Sequence, residues 1–292
     1  MIKMTMWWLW FRRDRVFFIF EGREYTYREV YQQSRRYERF FLSVRKKLVD
    51  SGKLSHDKRL AFGVYMDNNP EFLYASFGAG LSNSIMFAIN SGFRGETLAK
   101  VMEQAGLAFL IINASTLKEV EGVIKNVPAL GPENVYFVGD KDAFKSTGFK
   151  SLEKAVEEAE YVAVPGSYRV KVDNFSPVIV IYTSGTSGLP KGVPCTHIKL
   201  FVAGFMVQSA VHLNKNDCGY ISMPLFHSNA WYIGILPQMI VGGSFVLKRR
   251  FSASAFEEDM LTYVVSFLNY VGQPLHYIID ALERKYGSGD AV

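Results

Sequence analysis

Short apolar segments alternate with amphipathic ones along most of this sequence, and this alternation constrains the fold more than any other feature. Leu60–Met66 is almost entirely apolar, and Asn68-Asn69-Pro70 then begins a stretch with helical periodicity. Proline is tolerated in the first turn of a helix, so this junction is typical of a strand followed by a helix. The repeated alternation predicts an α/β fold, with layered mixed or parallel sheets flanked by helices.

The same pattern predicts the other strands and helices. Strands are expected at Leu60–Met66, Ser84–Ile89, Ala108–Ile112, Val135–Val138, Val178–Tyr182, Tyr220–Met223, Ser244–Leu247 and Val264–Leu268, with an edge strand at Tyr168–Asp173. Helices are expected at Glu96–Gln104, Leu152–Ala159, His197–His212, Ser254–Thr262 and Pro274–Lys285. Thr116 and Glu119 have the spacing of a capping box, which predicts a further helix. We divide the chain into an amino-terminal segment, residues 1–58, which packs on an α/β domain, residues 59–292.

The first residues include a tryptophan-rich apolar run that is too short to span a membrane. Met4–Phe11 is apolar, Arg12-Arg13-Asp14-Arg15 follows, and Val16–Phe20 is apolar again. The charged break prevents the roughly 18–20 uninterrupted apolar residues that a spanning helix needs. The charge order and the missing small-residue cleavage site also exclude a secretory signal. Two interpretations remain: an interfacial anchor, because tryptophan and arginine suit the headgroup region, or an edge segment packed on the domain, which we favour.

Charge and cysteine content exclude several classes of protein. The 292 residues carry a formal charge of +5 and two cysteines, so a disulfide scaffold is excluded and a cytoplasmic location is expected. Hydrophobic residues make up 49% of the chain, which excludes a disordered tail. The basic clusters near Arg12, Arg35 and Arg45 look like polar helix faces, so nucleic-acid binding is not expected. An anionic substrate or peripheral contact with a membrane explains the mild positive charge more simply.

One segment, residues 181–192, has a composition suited to binding phosphate. It reads Ile-Tyr-Thr-Ser-Gly-Thr-Ser-Gly-Leu-Pro-Lys-Gly and follows an apolar strand. Its glycines allow backbone N–H groups to converge on an anion, its hydroxyls add donors, and Lys191 adds a positive charge. It is not a Walker A loop, because Gly185 and Gly188 are separated by two residues and Pro190 prevents an immediate helix. Ser187 also lacks the frame of a nucleophile elbow. The alternative is an ordinary Ser/Thr/Gly surface loop.

This segment resembles the phosphate-binding signature of the adenylate-forming, or AMP-binding, enzymes, a superfamily that includes the acyl-CoA synthetases. Ser187 stands where threonine is usual in that family, and it keeps the hydroxyl. The resemblance extends through Phe20–Val30, Ile89–Leu98 and Met223–Ser228, the last of which is similar to the family's aromatic–histidine motif. Tyr270–Pro274 and Tyr277 resemble the branch of the very-long-chain acyl-CoA synthetases and fatty acid transport proteins.

The resemblance implies a two-step reaction that uses ATP, Mg²⁺ and coenzyme A. The carboxylate of a fatty acid, or of another acid, attacks the α-phosphorus of ATP to give an acyl-adenylate and pyrophosphate, and the thiol of coenzyme A then displaces AMP. Contacts to the β- and γ-phosphates are assigned to Thr183, Ser184, Gly185, Thr186, Ser187, Gly188 and Lys191, and a magnesium contact to Thr183. Lys191 and His227 are the candidate catalytic residues, and His227 is expected to line the passage of the acyl-adenylate and pantetheine.

Several motifs of the resembled family are absent from this sequence. No segment resembles Tyr-Gly-x-Thr-Glu, which supplies adenine contacts and a magnesium-binding glutamate, and the ribose-binding aspartate and the small carboxy-terminal domain are not found. The resemblance therefore implies a truncated amino-terminal part of the large domain, inactive alone. The alternative is a non-catalytic module that binds a nucleotide or an acyl group, or a remnant of such an enzyme. A complementing carboxy-terminal half or a homo-oligomer is expected, because a severed domain exposes apolar surface.

Overall fold

The structure, a computed structural model, describes Arg12 and residues 14–159, 173–183 and 188–287. Its strands are β1 Val16–Phe20, β2 Arg23–Thr26, β3 Ala61–Tyr65, β4 Ile85–Ala88, β5 Phe109–Asn113, β6 Val135–Val138, β7 Lys150–Ser151, β8 Pro177–Thr183, β9 Lys191–Thr196, β10 Cys218–Ile221, β11 Ser244–Leu247 and β12 Phe267–Leu268. Its α-helices are α1 Tyr27–Asp50, α2 Pro70–Ser82, α3 Gly95–Ala105, α4 Leu117–Val123, α5 Leu152–Glu157, α6 His197–Ala210, α7 Leu236–Val241, α8 Phe256–Thr262 and α9 Gly272–Tyr286, and a π-helix spans Ala230–Ile235.

Within these described ranges the strands form two mixed sheets. The five-stranded sheet has the order β12-β10-β11-β1-β2, and the seven-stranded sheet has the order β7-β6-β5-β3-β4-β8-β9. Neighbours are parallel, apart from the antiparallel pairs β1–β2 and β8–β9. The parallel strands of each sheet therefore end at a common edge, where ligands of α/β proteins usually bind. The predicted α/β class, with layered mixed sheets flanked by helices, is confirmed.

The central strands of the seven-stranded sheet are buried on both faces, which explains why they are continuously apolar. Every residue of β5 is buried, and alternate side chains point to opposite faces. Phe109 and Ile111 pack in one cluster with α1, α2 and α5, whereas Leu110 and Ile112 pack in another with α3 and α4. The sheet therefore forms a rigid layer between two sets of helices, and its loops lie at the edges.

The amino-terminal strands belong to the five-stranded sheet. β1 pairs in parallel with β11 and antiparallel with β2. α1 then begins with a capping box that the sequence analysis missed: the Thr26 hydroxyl accepts from the Glu29 N–H at 3.1 Å, and the Glu29 carboxylate accepts from the Thr26 N–H at 2.7 Å. The domain division at residue 58 stays a prediction.

Some local expectations were wrong. The Thr116 hydroxyl does not cap α4 but donates to the Tyr65 carbonyl oxygen at 2.7 Å, although α4 forms where a helix was expected. The strand predicted from Val264 shortens to Phe267–Leu268, because Val264 has a positive φ of 48°. The edge strand predicted at Tyr168–Asp173 lies outside the described residues except for Asp173. Among the described helices, none combines the length and the apolar character needed to cross a membrane.

His197, the first residue of α6, gives the fold a predicted sensitivity to acid. Its Nε2 atom is buried without a hydrogen-bond partner, and burial, followed by the nearby Arg59, lowers the pKa of His197 to about 4. An unfolded histidine has a pKa near 6.5, so below that pH the unfolded chain binds the proton more readily than the folded chain. The stability that the buried, neutral His197 side chain contributes is therefore fully present above about pH 6.5 and is lost as the pH falls toward 4.

We expect His197→Leu to reduce this acid destabilisation. Between pH 7 and pH 4.5 the free energy of unfolding, measured in urea, should fall by about 1–2 kcal/mol less in the variant than in the wild type, after allowance for solvent screening of a partly exposed group. His276→Gln, on an exposed face of α9, is the control and should fall as the wild type does. Equal losses in His197→Leu and the wild type would contradict the assignment.

Candidate functional site

The β8–β9 hairpin carries the glycine- and hydroxyl-rich loop. Val178–Tyr182 of β8 is buried between β4 and β9. Thr183 and Lys191 are register partners, so the loop leaves and re-enters the hairpin at adjacent points. The Thr183 hydroxyl lies 3.5 Å from the Lys191 carbonyl oxygen, to which it donates. Ser184, Gly185, Thr186 and Ser187 lie outside the described residues, and their phosphate contacts stay predictions.

The second half of the loop shows why glycines are needed. Gly188 has a φ of +96°, a left-handed conformation that side chains rarely adopt. A Cβ atom on Gly192 would lie 2.8 Å from Val180 Cγ1, so the strand after Lys191 passes too close to β8 for a side chain. Lys191 is exposed and forms no ion pair within the described part of the chain. Its ammonium group is therefore available at the base of the loop.

The loop lies at the carboxyl edge of the seven-stranded sheet, where other polar side chains also gather. Asp67 follows β3, and its carboxylate accepts a hydrogen bond from Asn113 Nδ2 at the end of β5. Arg249 and Arg250, which follow β11 of the other sheet, approach the Asp67 carboxylate to 3.7 and 3.5 Å. The Arg249 guanidinium also contacts Glu21 at 2.7 Å, and this hydrogen bond raises the pKa of Arg249. The carboxyl edges of the two sheets therefore meet at Asp67.

Asn68 joins the two sheets through a buried amide. Its Nδ2 atom donates to the carbonyl oxygens of Met223 and Lys248, both at 3.0 Å, and its Oδ1 atom accepts from the Leu225 N–H at 2.7 Å. The side chain is 2% exposed. Because Met223 and Leu225 belong to the segment that precedes His227, Asn68 at the end of β3 fixes the position of that segment.

His227 ends the turn that follows β10. Its N–H donates to the Pro224 carbonyl oxygen at 3.0 Å, and the Trp231 indole donates to the Leu225 carbonyl oxygen at 2.7 Å. The imidazole packs on the Phe226 ring, with 4.8 Å between centroids. Burial lowers the pKa of His227, so the ring is neutral at pH 7. Its nitrogens form no hydrogen bond within the residues that the structure describes, which leaves them available to a ligand.

The structure places Thr183, Gly188 and Lys191 in one hairpin, whereas His227 lies in the turn after β10 of the other sheet. No hydrogen bond or ion pair among the described residues joins His227 to the hairpin. The link is indirect: the Tyr232 hydroxyl lies 2.9 Å from the Cys195 sulfur in β9, and Lys199 lies over the Tyr232 ring at 5.8 Å. Burial raises the pKa of Cys195, so its thiol stays neutral and contributes packing.

The π-helix after His227 was not expected from the sequence. Such helices are rare and occur frequently at functional sites. Gly204 of α6 and Gly234 of the π-helix both lie in close contact with neighbouring elements. A Cβ atom on Gly204 would lie 2.7 Å from Leu236 Cβ, and one on Gly234 would lie 3.0 Å from Ile221 Cδ1. Both glycines let neighbouring elements pack closely.

Sequence reasoning also missed Asn68, although a signal was present. Asn68 and Asn69 come shortly after a buried strand, and only the helix start was inferred from them. Asn69 does cap α2, because its side chain accepts from the Phe72 N–H at 3.0 Å. Asn68, however, bonds to residues 155 to 180 positions away. Local pattern analysis cannot identify partners at such separations.

Comparison with known proteins identifies relatives of this chain. The family model of the AMP-binding enzymes matches residues 10–291. The medium/long-chain-fatty-acid–CoA ligase FadD17 of Mycobacterium marinum is 33% identical over 228 residues, which are 76% of this chain and 40% of that protein. Long-chain fatty acid transport protein 6 of Homo sapiens is 30% identical over 92% of this chain and 41% of its own length. The chain thus spans about two fifths of the length of these relatives.

A solved structure shares the fold. The inhibitor-bound amino-terminal domain of FACL13 from Mycobacterium tuberculosis superposes with a TM-score of 0.76 at 19% identity, covering 98% of this chain and 67% of that one. At this level of identity the similarity concerns the fold. The shared fold agrees with the α/β fold predicted from the sequence.

Proposed function

The chain belongs to the AMP-binding enzyme family, and from this premise we propose that it is the amino-terminal portion of an ATP-dependent, AMP-forming fatty-acid–CoA ligase. The single observation that carries the proposal is the β8–β9 hairpin. Its strand β8 ends at Thr183 and β9 begins at the exposed Lys191, and the loop between them is rich in glycines and hydroxyls. The names of the two sequence relatives, a fatty-acid–CoA ligase and a fatty acid transport protein, support the substrate class.

In this proposal the loop binds the triphosphate of ATP. The ammonium group of Lys191 compensates the negative charge of the β- and γ-phosphates, and Gly188 lets the backbone turn toward them. A fatty-acid carboxylate then attacks the α-phosphorus, pyrophosphate leaves, and the thiol of coenzyme A displaces AMP from the acyl-adenylate. Because phosphoryl transfer depends mainly on positioning and charge stabilisation, these groups suit the task.

Thr183 is the residue that would contact Mg²⁺. Its hydroxyl is exposed at the end of β8, and its one hydrogen bond within the described residues is a long donation, so the oxygen lone pairs are free. Mg²⁺ prefers oxygen ligands and takes most of them from water and substrate phosphates, so a single hydroxyl fits. When bound, the ion would neutralise phosphate charge.

His227 is proposed to line the passage of the acyl-adenylate and pantetheine. The neutral imidazole, with both nitrogens free of partners within the described chain, can donate to or accept from a neutral amide or an adenylate oxygen. Asn68 holds the segment before it and is therefore a positioning residue. We also propose that the protein is cytoplasmic and makes peripheral contact with membranes.

Binding of Mg-ATP, measured by calorimetry, tests the role of the loop. Lys191→Ala should weaken binding about 10- to 100-fold, because a charge-assisted hydrogen bond to phosphate contributes about 1.5–3 kcal/mol. Lys118→Ala is the matched control, because Lys118 is also exposed but lies on α4, outside the hairpin. The Lys118→Ala variant removes the same charge and should leave the Kd for Mg-ATP unchanged.

Two results would contradict the proposal. One is equal binding by the wild type and Lys191→Ala. The other is the absence of binding in the wild type, which would indicate a remnant that has lost its nucleotide site. A change of equal size in Lys118→Ala would show that the effect comes from net charge rather than from contact with the loop.

A further inference from the structure

A strip of cationic side chains lies along the solvent face of α1. Residues spaced by three, four and seven positions share one face of a helix. The basic strip consists of Arg28, Arg35, Arg36, Arg39, Lys46 and Lys47, accompanied on the same face by Gln32, Ser43 and Asp50. From the first to the last cation the strip extends about 28 Å, at 1.5 Å per residue.

This helix carries most of the net charge of the protein. α1 contains seven basic and three acidic residues, a net charge of +4, whereas the whole chain has +5. Three ion pairs partly neutralise the strip, namely Arg28–Asp14, Arg35–Glu38 and Lys46–Asp50. Arg36, Arg39 and Lys47 form no ion pair with any residue that the structure describes. The excess positive charge is therefore concentrated on one surface.

The opposite face of α1 is fixed in the core, so the strip is rigid. Phe41 packs on Phe62 with 4.5 Å between ring centroids. A Cβ atom on Gly78 of α2 would lie 2.7 Å from Tyr37 Cβ, so the two helices pack at close range. One further cation of the helix, Arg45, points inward, where it donates to the His56 carbonyl oxygen at 2.7 Å. The side chains of the strip consequently need no rearrangement of the helix to meet a partner.

We propose that the basic strip is a docking surface for anionic phospholipid membranes. An extended row of six cations, only three of which form ion pairs within the described residues, suits a broad, negatively charged surface. Each lysine or arginine near such a surface strengthens binding about fivefold. The aromatic residues Tyr37, Phe40 and Phe41 of α1 are buried, so the strip lacks the stacking side chains that usually accompany a single-stranded nucleic-acid site.

The sequence beside the strip supports the same partner. Asp14, which pairs with Arg28 at one end of the strip, directly follows the apolar run Met4–Phe11 and the basic residues Arg12 and Arg13. This run contains three tryptophans, Trp7, Trp8 and Trp10, a residue type enriched at membrane–water interfaces. In the sequence, the tryptophan-rich run therefore precedes by a few residues the carboxylate that pairs with the first cation of the strip.

Cosedimentation of the full chain with vesicles tests the proposal. The probes are phosphatidylcholine vesicles with and without about one third phosphatidylserine, at 0.1 M and 0.5 M salt. The wild type should bind the anionic vesicles at 0.1 M salt, and 0.5 M salt should weaken this binding strongly, because screening shortens the range of the attraction. R35Q/R36Q/R39Q/K47Q should bind at least about 100-fold more weakly, at about fivefold per cation.

Two further variants separate the strip from net charge and from misfolding. K118Q/K125Q/K215Q/R284Q removes four exposed cations elsewhere, and its binding should fall by less than tenfold. R35K/R36K/R39K keeps the charges and should bind like the wild type. Circular dichroism and melting temperature should show all variants folded.

The proposal fails if the wild type does not bind anionic vesicles. It also fails if R35Q/R36Q/R39Q/K47Q binds them as the wild type does, or if K118Q/K125Q/K215Q/R284Q loses as much affinity as that variant. It also fails if duplex RNA at 0.1 M salt binds the strip more tightly than the vesicles do. That last result would assign the strip to nucleic acid.

Discussion

Replacement of Asn68 with alanine is expected to lower the free energy of unfolding by about 3–5 kcal/mol, one of the two largest effects that we predict. The substitution leaves the carbonyl oxygens of Met223 and Lys248 and the N–H of Leu225 without their partner. A buried polar group without a partner costs about 1–3 kcal/mol, and three such groups are affected here. Urea unfolding followed by circular dichroism measures the loss.

Asn69→Ala provides an adjacent control of the same residue type. Asn69 is also buried, with 4% of its surface exposed, but its side chain accepts one hydrogen bond, from the Phe72 N–H, as the cap of α2. Loss of a helix cap costs about 1 kcal/mol. If Asn68→Ala is no less stable than Asn69→Ala, Asn68 does not join the two sheets in the way described.

The buried strands could be predicted from the sequence because their signal is local. Ser244–Leu247 was predicted with the observed bounds, and Val178–Tyr182 differs from β8 by one residue at each end. Both are short apolar runs bounded by polar residues, glycine or proline. Their short length and these flanking residues favour a buried strand over a helix.

β9 could not be predicted, because its own sequence does not favour a strand. It reads Lys-Gly-Val-Pro-Cys-Thr, and glycine and proline are both depleted in strands. β9 is an edge strand, where proline is tolerated, and its conformation is set by pairing with β8. The strand therefore depends on a tertiary contact that periodicity cannot show.

One part of the candidate site is indicated by local sequence, and another depends on residues that are distant in the sequence. The composition of the loop indicated an anion site, and the hairpin that places Thr183 opposite Lys191 agrees with a single compact loop. The position of His227 depends instead on Asn68, which is more than 150 residues away in sequence. Hydrogen bonds over such a distance follow from the arrangement of two sheets, and no spacing in the sequence encodes them.

The second large effect concerns catalysis. We expect the isolated chain to catalyse ATP–pyrophosphate exchange with fatty acids at least about 10³-fold more slowly than the full-length Mycobacterium marinum relative assayed beside it. The reason is that the sequence lacks the Tyr-Gly-x-Thr-Glu segment and the aspartate that the family resemblance assigns to adenine, magnesium and ribose. Positioning groups of this kind commonly contribute factors of 10² or more each. Exchange by the isolated chain at a rate near that of the relative would refute the proposal that this chain alone is catalytically incomplete.

A chimaera in which this chain is followed by the remaining residues of the Mycobacterium marinum ligase should regain exchange. α9 presents an apolar surface that such residues could cover: Tyr277 and Ile279 are 46% and 41% exposed, and Ile278 is buried. The same surface would favour association of two copies when it is left uncovered. Lys191→Ala in the chimaera should abolish the recovered exchange, whereas Lys118→Ala should not. A folded chimaera that binds Mg-ATP yet shows no exchange would instead favour the non-catalytic binding module, because the loop would then bind a nucleotide without supporting adenylation.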